Sequence, residues 1–255
     1  MNPTPSQVLN LRVVEGPVIR ETGSPQVSLG AVRECLVASL AQEPRRYRGI
    51  TASERRAQRR ERLMRAGLEL FGTLGYANTS IRAVCAAAST NSRYFYESFG
   101  SREDLLYSVY ERIVNEIVLA TTEATAKADT IEGQARAGVR AGWTILTEDR
   151  RKARVIALEV VGVSDRLERL RRDTRHALAD LTVRNAQSVS GGMSFRLDPV
   201  LTSRSLIGAV VEVLVDWING DLDASADEIV EHFTRLFTAV TYAAVEPETP
   251  ALDDR

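Results

Sequence analysis

A chain of 255 residues, 44% apolar and 26% charged, has enough hydrophobic content for one or two packed domains. With two cysteines and two histidines no metal-ligand cluster is visible, no apolar run approaches the roughly 18 residues that span a bilayer, and no basic segment followed by an apolar signal core opens the chain, so a cytoplasmic protein is expected. The net charge of −1 conceals an imbalance: residues 45–102 hold twelve Arg against four Glu, a balance of +8, which leaves −9 for everything else.

Residues 1–44 carry five of the eight prolines, and Gly16, Gly23 and Gly30 interrupt any long element. Leu29, Val32, Leu36 and Leu40 allow a short amphipathic helix over 29–42, and the rest reads as a flexible N-terminal extension. Arg45, Arg46 and Arg48 follow, ahead of the first capped helix; an arm reaching phosphates or a neighbouring minor groove suits them, since arginine favours the negative potential of narrow grooves. Thr51 with Glu54 then forms a capping box, and Leu63, Ala66, Leu70, Phe71 and Leu74 make an apolar stripe that runs into Gly75. That is an amphipathic supporting helix.

The stretch 79–102, TSIRAVCAAASTNSRYFYESFGSR, reads as helix, tight turn and helix. Ile81, Val84, Cys85 and Ala88 recur at helical spacing behind Thr79, which offers an oxygen to the first backbone N–H groups. Ala86, Ala87 and Ala88 let a second helix cross closely, and Ser89, Thr90 and Asn91 favour a turn and an N-cap. In the second helix, starting near Asn91, Phe95 and Phe99 face the core, which leaves Asn91, Ser92, Arg93, Tyr94 and Tyr96 to point outward. Side chains of these types reach base edges and phosphates. A redox role for Cys85 is disfavoured because it falls on the buried side of its helix.

The run RRERLMRAGLELFGTLGYANTSIRAV followed by YFYESFGSREDLL resembles the N-terminal domain of the tetracycline-repressor (TetR) family of bacterial regulators. Ala66, Phe71, Gly75, Tyr76, Thr79, Ile81, Val84, Ala86, Tyr96, Phe99, Arg102 and Leu105 stand in the family's order and spacing over about residues 53–110. The resemblance implies that the second motif helix lies in a major groove and that Tyr96 and Arg102 bind backbone phosphate; Thr79 and Arg82 are counted with them as candidate DNA-binding residues. Three departures are evident: Ser89 and Thr90 replace the usual Gly and Val of the turn, and Arg93-Tyr94 replaces Gly-Thr on the reading face. Left-handed backbone at Ser89 would cost roughly 1 kcal/mol more than at Gly, and the operator sequence is this protein's own.

After the motif, Ser101 with Asp104 caps a helix with Leu105, Leu106, Val109, Ile113 and Ile117 on its apolar face. Helices are predicted over 103–126, 130–147, 150–162, 164–188, 199–219 and 225–244, with Asp198-Pro199, Gly220 and Ser225/Glu228 as start and stop signals and SVSGGMSFRLDP as a loop. The last two helices are apolar on more than one side, through Leu206, Ile207, Val210, Val211, Val213, Leu214, Trp217 and Ile218, and through Ile229, Val230, Phe233, Leu236, Phe237, Val240 and Tyr242. Such helices must bury more than one side, and a four-helix dimer interface through Leu206, Val210, Val213, Leu214, Trp217, Phe233, Leu236, Phe237 and Val240 meets that need. The resemblance implies the same dimer, together with a small-molecule effector pocket in this portion. Trp143, Glu159 and Trp217 are candidates for lining it, while Glu159 could instead pair with Arg151, Lys152 or Arg154.

The expectation is therefore an all-α protein: a flexible extension (1–44), a homeodomain-like three-helix DNA-binding domain (45–102) and a helical ligand-binding and dimerisation domain (103–255). Its partners would be double-stranded operator DNA, a second copy of itself and an unknown small-molecule effector, with no membrane and no cofactor. No nucleophile and base, paired carboxylates or metal cluster suggests an enzyme. A repressor on an inverted repeat is the first reading; an activator of the same fold and a sequence-tolerant architectural protein are the alternatives, and discrimination among DNA sequences separates the last.

Overall fold

A computed structural model describes residues 51–189 and 194–246. The extension over 1–44, the arm of Arg45, Arg46 and Arg48, and the middle of the 190–198 loop lie outside the described residues.

The first helix, α1 (Ala52–Thr73), buries Leu63, Met64, Ala66 and Phe71 on the predicted stripe. It ends at Gly75, whose φ of +88° turns the chain toward the motif. Thr79 does not cap the next helix, contrary to the sequence expectation. The turn draws Thr79 inside, fully buried, where its hydroxyl donates to the Gly75 carbonyl at 2.8 Å. Ser80 has the extended backbone of an N-cap and accepts from the Ala83 N–H, opening α2 (Ile81–Ala87). Asn91 caps α3 (Ser92–Tyr96) through the Tyr94 N–H, and Ser101 caps α4 (Arg102–Thr125) through the Asp104 N–H. Phe71, Val84, Phe95, Leu105 and Leu106 are fully buried and form the core that fixes these four helices together. Cys85 is buried as expected, and burial pushes its thiol pKa up.

The remaining helices follow the predicted spans closely. They are α5 (Ile131–Glu148), α6 (Arg150–Arg154), α7 (Asp165–Val189), α8 (Pro199–Asn219) and α9 (Ala226–Ala244). Helix α5 packs between α4 and α9, and α7 packs along α8. Between α6 and α7 the chain widens into a π-helical turn, Val155–Glu159, a form that is rare and often placed at functional positions. One element has no counterpart in the sequence reading. Two-residue strands β1 (Ser194–Phe195) and β2 (Val245–Glu246) pair antiparallel and tie the α7–α8 connection to the end of α9.

Ser89, in the turn between α2 and α3, has φ +48° and is the one non-glycine residue with positive φ among the described residues. Replacing it with Gly removes the Cβ penalty of that conformation. Ser89→Gly is expected to raise unfolding stability by about 1 kcal/mol, read as a higher denaturant midpoint at unchanged slope.

Candidate nucleic-acid interface and ligand cavity

The reading helix α3 buries Phe95 and turns its polar residues out. Asn91, Ser92, Arg93, Tyr94 and Tyr96 are all exposed, as is Arg82 on α2. The Arg93 side chain is 84% exposed and pairs with Glu97 at 3.3 Å. Tyr96, 59% exposed, stands edge-on to Phe95, which fixes its ring while leaving the hydroxyl outward.

A second row of cations, which the sequence reading counted only as charge, borders α3. Arg55, Arg56 and Arg59 from the first turns of α1 surround a niche closed by Tyr94 and Glu97. The Arg59 guanidinium lies 4.4 Å from the Tyr94 ring centroid and 4.0 Å from Glu97. Positions 55 and 59 stand four apart and share a face, a signal available from spacing once α3 is known to cross α1.

Other arginines of the basic segment serve the fold. Arg60 donates to the Ser98 carbonyl (3.1 Å) and the Ser108 hydroxyl (3.2 Å) and covers the Phe99 ring. Arg102, expected at phosphate, instead lies over the Tyr76 ring at 4.1 Å and donates to the Thr79 carbonyl, which bolts the start of α4 to the turn before α2. Thr79 itself is wholly buried and offers DNA nothing. Both are corrections to the predicted contact set, and both arise because the turn 75–80 folds inward.

The portion after the motif encloses an elongated cavity of about 180 Å³ walled by α4, α5, α7, α8, α9 and Ile156 of the π-turn. Its wall on α5 runs from Ile131 to Leu146, roughly 22 Å at 1.5 Å per residue. Among the described residues no charged residue lines it; the polar wall atoms come from threonines, Gln134, Asn185 and Trp143. Gln134 Oε1 and Trp143 Nε1 are buried there with no hydrogen-bond partner among the described residues.

Of the three predicted pocket residues, Trp143 lines this cavity and the other two do not. Trp217 packs its ring edge-on behind Trp143 at 6.0 Å, beneath the Arg150 guanidinium, and donates to the Ala224 carbonyl. Glu159 faces the other way, toward the first helices: Oε2 accepts from the Tyr76 N–H at 2.7 Å and Oε1 from Arg154 at 2.8 Å. The sequence alternative of pairing with Arg154 holds. Four of the residues predicted for a dimer interface are also reassigned: Leu206, Leu214, Phe233 and Phe237 are buried within one protomer, the second and fourth as cavity wall. Val210 lines the cavity as well, and Val213, Leu236 and Val240 are half-buried.

A helix-turn-helix with its polar face outward, fixed to a helical body around an apolar cavity, is the build of a DNA-binding transcriptional regulator. Residues 63–109 match the family model described as bacterial regulatory proteins, tetR family. No curated protein matches the chain. Among solved structures it is similar to the fatty acid degradation regulator FadR from Bacillus halodurans, with 19% identity, a TM-score of 0.65 and coverage of 71% of this chain and 94% of that one. FadR from Bacillus subtilis, solved in complex with stearoyl-CoA, is similar at 17% identity and TM-score 0.63 over 71% of this chain and 98% of its own. A TetR-like transcriptional regulator from Rhodococcus sp. RHA1 follows at 20% identity and TM-score 0.55, over 72% and 93%. At these identities the likeness shows the fold. Among the described residues no helix is long and apolar enough to cross a membrane.

Proposed function

We propose that the protein is an effector-responsive repressor that binds an inverted-repeat operator as a homodimer. The observation that carries this reading is the exposed polar face of α3, on which the Arg93 side chain is 84% exposed. In the proposed complex α3 enters the major groove, Arg93 grips a guanine edge, and Tyr96 and the niche of Arg55, Arg56 and Arg59 hold phosphates. Arg82, Asn91, Ser92 and Tyr94 complete the contact surface. Two such heads read half-sites roughly 34 to 36 Å apart, or a multiple of that spacing.

The dimer forms through the outer faces of α8 and α9. Leu201, Ser205, Gly208 and Glu212 follow one another at helical spacing and are all exposed, as are His232, Arg235, Ala239 and Tyr242. Leu201 at 67% and Tyr242 at 57% exposure are large apolar groups that a second copy would cover.

The effector is a long hydrocarbon chain whose charged end, where it has one, stays outside. An uncharged wall of this length offers a carboxylate or phosphate no partner, and the solved complex of the Bacillus subtilis FadR with stearoyl-CoA is consistent with such a guest. The Trp143 N–H and Gln134 carbonyl supply one donor and one acceptor for a single neutral polar group. Filling the cavity shifts the heads to a spacing that fits DNA less well, a coupling of about 1 to 3 kcal/mol in typical cases.

Duplexes selected from random sequence test the DNA reading: Arg93→Ala should cost about 1 to 3 kcal/mol and relax one base step, whereas Tyr96→Phe weakens all sequences alike. A uniform loss from Arg93→Ala moves that residue to phosphate. Gly208→Arg tests the dimer, since a Cβ at Gly208 meets nothing within 4 Å and the protomer stays folded; sedimentation should show a monomer, with operator affinity down about 100-fold or more. For the effector, Trp143 lines the cavity and Trp217 packs edge-on behind it, so the fluorescence of the chain's two tryptophans reports its filling. Straight-chain alcohols should bind roughly fourfold tighter per added CH₂, the equivalent of about 0.8 kcal/mol each, and a flat response to chain length would reject the hydrocarbon assignment.

A further inference from the structure

The π-turn Val155–Glu159 touches both the cavity and the motif. Ile156 forms part of the cavity wall, and three residues on Glu159 reaches out of the body to the turn between α1 and α2. Its side chain is only 12% exposed, and its carboxylate sits in the hollow over Gly75, where an added Cβ would come within 3.1 Å of Oε2. There it accepts the Tyr76 N–H, a backbone group, so it holds the chain path itself. Arg154 binds the other oxygen and fixes the carboxylate from behind.

From Tyr76 a short series of contacts leads to the motif. The Tyr76 ring contacts Phe71, at 5.5 Å between ring centroids, and lies under the Arg102 guanidinium. Arg102 in turn binds the Thr79 carbonyl, and Thr79 binds the Gly75 carbonyl. Ser80, the next residue, caps α2. A shift of the Tyr76 backbone therefore reaches the start of α2 within four residues, and α3 packs on α2.

We propose that Glu159 is a positioning residue that carries the filling of the cavity, felt at Ile156, to the start of the helix-turn-helix; the inference rests on the cavity being the effector site of a DNA-binding regulator. A guest that displaces Ile156 displaces the same five-residue turn that carries Glu159. Because the turn has π geometry, with its hydrogen bonds spaced five residues apart, it is already wider than the α-helix it continues and has a second register to fall back on.

The test uses full-length protein, a duplex selected from random sequence, and Ala135→Phe as a built-in guest, since Ala135 lines the cavity. Ala135→Phe should lower operator affinity about tenfold in the native background, within the range usual for coupled sites. In the Glu159→Ala background the same change should cost less than about threefold, which is little beside the usual coupling. Glu159→Gln, which keeps an acceptor for the Tyr76 N–H, should restore most of the tenfold effect. Hydrogen exchange at the Tyr76 amide supplies a readout independent of DNA: faster in Glu159→Ala, unchanged in Glu159→Gln. If Glu159→Ala loses its helical circular dichroism, Glu159→Asp replaces it, keeping the charge while pulling the carboxylate back from Tyr76 by one methylene.

Equal losses from Ala135→Phe in both backgrounds would overturn the role of Glu159 and leave the cavity as effector site standing. No loss in the native background would remove the cavity from control and the inference with it. Failure to select any duplex would remove the DNA-binding reading itself.

Discussion

Gly72 brings the last turn of α1 against the backbone of Arg151, and the relation between the DNA-binding helices and the rest of the chain is built around that approach. A Cβ at position 72 would stand 2.4 Å from the Arg151 Cβ and 2.7 Å from its Cα, closer than side chains tolerate. With the helices this near, Arg151 reaches Glu69 on α1, and Glu159 reaches Tyr76 beyond its end. Farther out, Lys152 meets Glu116 at 2.6 Å, and Arg166 meets Asp104 and holds its carboxyl below the usual carboxylate range. The same segment also buries Ala153, Val155, Ala157 and Val160; exposed ion pairs contribute little each, about 0 to 1 kcal/mol, so the polar contacts orient the two parts more than they bind them.

The basic segment divides its arginines between two tasks. Arg60 and Arg102 are consumed by carbonyls and rings of the fold, and Arg112 on α4 occupies Glu61 through two bonds of 2.7 and 2.8 Å. Arg82 and Arg93 face outward, and the Arg55–Arg59 row borders α3. The positive excess of residues 45–102 thus overstates the charge offered by the reading face, because part of it braces the helices that hold that face in place. The division suits the mechanism. Guanidinium groups fixed on Phe99 and Tyr76 keep the geometry of the motif insensitive to whether phosphates are present.

Helix boundaries were legible because capping is local chemistry: Asn91, Ser101, Asp198 and Ser225 each act within three residues of themselves. The one-residue error at Thr79 and Ser80 shows the limit of that logic. Both side chains can cap, and the choice was made by Gly75 and Leu70, whose carbonyls take the Thr79 hydroxyl inside. Glu159 stands 83 residues from Tyr76 in sequence, and a carboxylate within VIALEVVGV marks a need for a partner without naming one. The last two helices were ambiguous for a different reason. Apolar groups on several sides of a helix are satisfied equally by a core, a cavity wall or a second copy, and Leu214 and Phe237 belong to the second of these. The β1–β2 pairing left no trace at all, since two residues per strand carry no periodicity.

The stiffness of the link between α1 and α2 decides what a small movement at the cavity can accomplish. A loose loop at 74–80 would absorb a displacement of the π-turn by rotating its own dihedrals, and α2 would stay where it was. Here the link has few dihedrals left to spend: Leu74 is bonded to Leu70, Thr79 to Tyr76 and Gly75, Asn78 to Leu74, and the Tyr76 ring is in contact with Phe71 and the Arg102 guanidinium. A packed and hydrogen-bonded segment of this kind moves as one body. From the body side the Glu159 carboxylate covers it at Gly75, a glycine that presents no Cβ. Under the proposed function, apolar packing around a guest and a charge-assisted bond from Glu159 to the Tyr76 N–H would serve opposite needs of one device, affinity at the cavity and reversible placement of the helix-turn-helix.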